Sequence, residues 1–144
     1  MELTPAEKKL KNILQTWMLI LGSAGVFFLF FGNQLLISIN KVSTRFFPKL
    51  PLINEPSEFF WLTLTLSLMV VLIFLCYWAQ KDIRRNIDFV IPFLISKFVS
   101  TFFFFVFYLK QGYSLAYLVG VITDGSMFLI TYYFYKKVKC VKTS

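Results

Sequence analysis

A chain of 144 residues is one domain's worth, yet 58% of it is hydrophobic and 19 residues are phenylalanine; an ordinary soluble domain is about 45–50% apolar, and so small a core could not hide the excess. The formal net charge is +8, but the lysines and arginines lie at the ends of apolar runs, as in membrane proteins, and neither an RNP-like aromatic motif nor a zinc-finger spacing accompanies them, which argues against a nucleic-acid partner. The absence of histidine removes histidine-ligated haem, most zinc and copper sites and the commonest general base, so neither a cofactor nor an enzyme is expected.

The amino-terminal stretch, residues 1–12, is polar. Thr4-Pro5-Ala6-Glu7 reads as a helix start, with an N-cap, a proline in the first turn and a glutamate three residues after the cap. A short interfacial helix should therefore lead into the first apolar run, Ile13 to Ile39. That run exceeds the ~20 residues needed to cross a bilayer, so it should tilt or protrude. Lys8, Lys9 and Lys11 resemble the charged region of a signal peptide. Apolar sequence nevertheless continues through Phe27-Phe28-Leu29-Phe30-Phe31, which favours an uncleaved helix.

Residues 40–58 are expected to form the longest loop, punctuated by Pro48, Pro51 and Pro56. Its apolar members, Phe46, Phe47, Leu50, Leu52 and Ile53, suit the membrane surface or a cap on the bundle. The second run, Phe59 to Ala79, starts near Pro56 and Ser57. It has Trp61 near one end and Tyr77 and Trp78 near the other, an aromatic belt at each interface. A polar turn with Lys81, Arg84 and Arg85 follows. The third run is Ile87 to Leu109, with Pro92 in its first turns, where a proline is tolerated. Lys110-Gln111-Gly112 makes a tight turn into the fourth run, Tyr113 to Tyr135, and a basic tail ends the chain. Cys76 lies inside an apolar run and Cys140 in that tail, so no disulfide framework is implied.

The fold expected is an all-α membrane protein: one transmembrane domain spanning residues 1–144, a bundle of four helices with mainly antiparallel neighbours. The amino terminus, second loop and carboxyl terminus together carry ten lysines and arginines, against four in the first and third loops. The positive-inside rule then places both termini in the cytoplasm. The expected location is a bacterial inner membrane, with anionic lipid headgroups attracted to the cytoplasmic rim.

Two charges fall inside apolar runs. Lys97 is ten residues after Ile87, and Asp124 is eleven after Tyr113. Measured from the turn between Gln111 and Gly112 their depths differ by two residues, about 3 Å of helical rise, which a lysine stem bridges. Lys97, Ser100 and Thr101 share one helical face. Ala116, Gly120, Asp124, Met127 and Thr131 form a stripe on the fourth helix, and Ala116 and Gly120 allow two backbones close approach. Ser96, Ser100, Thr101, Ala116, Gly120 and Thr131 thus form the expected supporting seam, with Phe102 to Phe105 turned to lipid. Thr63 and Ser67 suggest a second packing seam on helix two. Asn33 and Gln34 suit hydrogen bonds between helices or interface contacts.

A mid-bilayer lysine or aspartate costs about 2.5–3.5 kcal/mol on the insertion scale. Pairing offsets part of this, but desolvation can exceed the gain, so the pair points to specificity or function more than to stability. The first functional expectation is a non-catalytic accessory, assembly or interaction subunit whose Lys97–Asp124 pair ties helices three and four, with a membrane-protein partner or a second copy. The alternative is a small ion- or proton-coupled transporter using Asp124 and Lys97. A third is lipid or quinone binding between helices.

Overall fold

The computed structural model describes residues 3–46, 48, 51–52, 59–110 and 114–142, apart from the side chains at positions 33, 36, 59–61, 141 and 142. These form four long helices: α1, Pro5–Phe46; α2, Phe59–Lys81; α3, Val90–Lys110; and α4, Leu115–Lys142. A single 3₁₀ turn, Ile87–Phe89, precedes α3. Each long helix contains a stretch long and apolar enough to cross a membrane.

The capping residues act as the sequence suggests. The Thr4 N–H donates to Glu7 Oε2 at 2.7 Å, and the Glu7 N–H donates to Thr4 Oγ1 at 3.3 Å. This reciprocal pair satisfies two of the donors orphaned at a helix start. From there α1 runs for 42 residues, with no separate interfacial helix, because no proline interrupts it between Pro5 and Pro48. The expected loop therefore begins later: residues 40–46 are helical, and Thr44 Oγ1 donates back to the carbonyls of Asn40 and Lys41. A straight helix of that length would reach roughly 63 Å, about twice the hydrocarbon thickness. The backbone leaves helical values at Phe31 (φ −133°, ψ 17°), and the candidate span ends beside it, Pro5–Gly32. The first span therefore begins and ends earlier than the Ile13–Ile39 run, and the part of α1 bearing Lys41 and Arg45 continues beyond it.

At the other end of the chain α4 extends to Lys142, so the basic tail continues the helix. Pro92 is the third residue of α3, where its missing N–H has no helical partner to lose. The expected helix start at Pro56 and Ser57, loop residues Phe47, Leu50 and Ile53, and the turn at Gln111 and Gly112 lie outside the described residues. So does the Asn33 side chain; Gln34 is exposed.

Packing is uneven. α3 lies most extensively against α4, α1 against α2 and then α4, and α2 only slightly against α3. The α3–α4 contacts descend on one helix as they ascend on the other: Phe98 meets Phe128, Thr101 faces Gly125, Phe104 faces Gly120 and Phe107 meets Tyr117. The most deeply buried side chains gather at one end, among them Leu10, Leu14, Ile83, Val90 and Phe93, with Tyr135 and Val138 beside them. That same end presents Lys8, Lys9, Lys11, Lys81, Arg85, Lys136, Lys137 and Lys139 as exposed residues. Large apolar side chains along the spans, such as Phe30, Val70, Ile95 and Ile122, are exposed, as lipid-facing residues must be.

Candidate functional site

The structure brings Lys97 and Asp124 together. Lys97 Nζ donates to Asp124 Oδ1 at 2.8 Å, and the two side chains are 8% and 15% exposed. Ser100, one turn after Lys97, donates its hydroxyl to Asp124 Oδ2. Both carboxylate oxygens are thus engaged by α3, the arrangement that makes a charge tolerable away from water. Cys76 of α2, 1% exposed, is within electrostatic reach of the ammonium. Met127, one turn beyond Asp124, is also buried.

The supporting seam divides into residues with different partners. Thr101 lies beside the pair without joining it: its Oγ1 donates to the Lys97 carbonyl at 2.6 Å. Its methyl group instead covers Gly125, where an added Cβ would sit 3.4 Å away. Ser96 is half-buried and is a partner of neither charge. Ala116 is half-buried nearer the start of α4. Gly120 does mark a close approach, but to a side chain: a Cβ there would meet the Phe104 ring at 2.7 Å. Phe104 is therefore not on the lipid face with Phe102, Phe103 and Phe105, which are about half exposed. It packs inward because glycine leaves room for its ring.

Thr131 serves a different junction. Fully buried, it accepts a 2.9 Å hydrogen bond from Trp17 Nε1 and so links α4 to α1. Thr63 and Ser67 on α2 are both exposed, and Ser67 Oγ donates to the Thr63 carbonyl at 2.8 Å, a bond made on its own helix.

A second ion pair escaped the sequence reading. Arg84 Nε donates to Glu7 Oε1 at 2.8 Å and its Nη2 donates to Glu7 Oε2 at 3.0 Å. The same carboxylate that caps α1 thus holds the α2–α3 turn with a two-pronged grip. Those hydrogen bonds raise the Arg84 guanidinium above its ordinary pKa. The capping signal at Thr4 and Glu7 was legible; the partner 77 residues away was not.

Among the described residues no three of His, Cys, Asp and Glu gather in a way that could hold a metal ion. No protein family, curated protein or solved structure gives a match to this chain. Its function is therefore argued from geometry alone.

Proposed function

We propose that the protein is a non-catalytic membrane subunit, an accessory or assembly component, in which the Lys97–Asp124 pair locks α3 to α4. The single observation carrying this reading is the saturation of Asp124: one oxygen is held by Lys97 and the other by Ser100, both on the neighbouring helix. A carboxylate held twice by one partner helix behaves as a fastening. A proton or ion site needs a group free to exchange its ligand. The antiparallel placement of neighbouring helices fits the descending α3–α4 contacts. The exposed apolar flanks supply surface for lipid or for a membrane-protein partner, including a second copy of the chain.

Both termini belong in the cytoplasm of a bacterial inner membrane on this reading. The support is that the amino-terminal lysines, the Arg84–Arg85 turn and the lysines of α4 share one end of the bundle, as the positive-inside rule requires. Cys140, exposed near the end of α4, reports this directly. A membrane-impermeant maleimide should label it in inside-out vesicles and spare it in intact cells treated from outside; the reverse pattern overturns the orientation.

The subunit reading is tested by gentle solubilisation from the native membrane at native expression, followed by native electrophoresis. Migration in a complex larger than the chain or its dimer is expected. A protein that always runs alone, and that in proteoliposomes drives a pH-dependent flux abolished by Asp124→Asn, would establish the transporter instead.

A further inference from the structure

At the basic end of the bundle a cavity of about 700 Å³ opens beside the last turn of α2. Its wall is aromatic: Trp78 stacks on Phe89 at 6.5 Å between ring centroids and meets the Phe74 edge at 5.9 Å. Phe74 and Phe89 are exposed, at 55% and 41%. The mouth carries Lys81, Asp82, Arg85 and Asn86. Two of these are committed to the turn itself. Asp82 Oδ1 accepts the backbone N–H groups of Arg84 and Arg85, and Asn86 Nδ2 donates to the Trp78 carbonyl. The cations are not committed in that way. Lys81 Nζ sits 4.8 Å over the Trp78 ring, and neither Lys81 nor the Arg85 guanidinium forms an ion pair among the described residues.

We propose that this cavity seats one anionic phospholipid, its phosphate between Lys81 and Arg85 and the start of its acyl chains along Trp78, Phe89 and Phe74. Two cations against one carboxylate leave the mouth positive, complementary to a phosphate monoanion. The aromatic wall descends from Lys81 to Phe74, seven residues or about 10 Å of helix, the depth over which a bilayer passes from headgroup to hydrocarbon. A free phosphate would use the mouth and leave that wall unfilled, so the lipid is the occupant. The cavity is lined by the end of α2, the turn after it and Phe89 of the 3₁₀ turn, and the exposed Phe74 and Phe89 rings leave it open to the side. The proposal rests on the chain being embedded in a membrane, not on its role as a subunit.

The test places the full chain in phosphatidylcholine nanodiscs doped with phosphatidylglycerol, with bound phosphatidylglycerol counted by native mass spectrometry. The double variant K81Q/R85Q should bind about 30-fold more weakly, roughly fivefold for each surface cation removed. K136Q/K137Q removes the same charge from the same end outside the cavity and should weaken binding less than about threefold. Thermal unfolding in pure phosphatidylcholine discs checks that both variants are folded. Equal losses in the two variants would overturn the site in favour of diffuse attraction. Displacement of the lipid by inorganic phosphate at millimolar concentration would overturn the lipid as occupant. Failure of the folded chain to enter neutral discs would overturn the membrane placement itself, a result distinct from the other two.

Discussion

Removing one member of the mid-bundle pair should harm the protein far more than removing both. Lys97→Met leaves the Asp124 carboxylate with Ser100 as its remaining partner, in surroundings where its side chain is 15% exposed. Breaking a buried pair in this way costs about 3–5 kcal/mol, because an uncompensated charge stays behind. Asp124→Asn is milder: the amide oxygen still accepts from Lys97 Nζ, while the amide NH2 takes the other position and donates to the Ser100 hydroxyl, which turns from donor to acceptor, so about 2 kcal/mol is expected, near the worth of a hydrogen bond to a charged group. The double variant has no charge to strand and keeps a packed seam, so it should lie within about 1 kcal/mol of the parent. The coupling between the two positions is then at least about 4 kcal/mol, well beyond the ~0.5 kcal/mol seen for independent sites. Reversible unfolding in mixed micelles measures all four corners of the cycle. Two mild single variants whose effects simply add would refute the claim that the pair fastens α3 to α4.

Gly120→Ala should destabilise the α3–α4 contact by about 1–3 kcal/mol, the usual cost of overpacking, because its Cβ would meet the Phe104 ring at 2.7 Å; Gly22→Ala, whose nearest neighbour would be 3.9 Å away, should be neutral or stabilising by up to ~1 kcal/mol, and the same unfolding assay compares them. Trp17→Phe keeps most of the ring packing but loses the bond to buried Thr131, so a loss of about 0.5–1.5 kcal/mol is expected, and Thr131→Val added to it should cost little more. Thr4→Ala should weaken the start of α1 by about 1 kcal/mol through loss of the cap. Glu7→Ala, which also releases Arg84, should raise amide hydrogen exchange at residues 3–12 and 82–86 together, while Thr4→Ala alone leaves the second segment protected.

The four apolar helices, the cap at Thr4 and Glu7, and the common depth of Lys97 and Asp124 were legible in the order of residues alone. Those are properties of local pattern: side-chain polarity along a helix, a three-residue capping spacing, and a rise of about 1.5 Å per residue counted from a short turn. The sequence could not reveal where α1 would stop, because residues 40–46 contain no breaker and an apolar run ends before its helix does. Nor could it tell which member of a face finds which partner. Ser100 reaches Asp124 while Thr101, its neighbour, bonds its own backbone; Thr131, on the same stripe, meets Trp17 from another helix. Phe104 turns inward and its neighbours outward because Gly120 offers a hollow of one ring's size. The grip of Glu7 on Arg84 and the aromatic cavity at the end of α2 likewise depend on how whole helices dock. Docking is set by side-chain shape summed over an interface, and no spacing within a single helix encodes it.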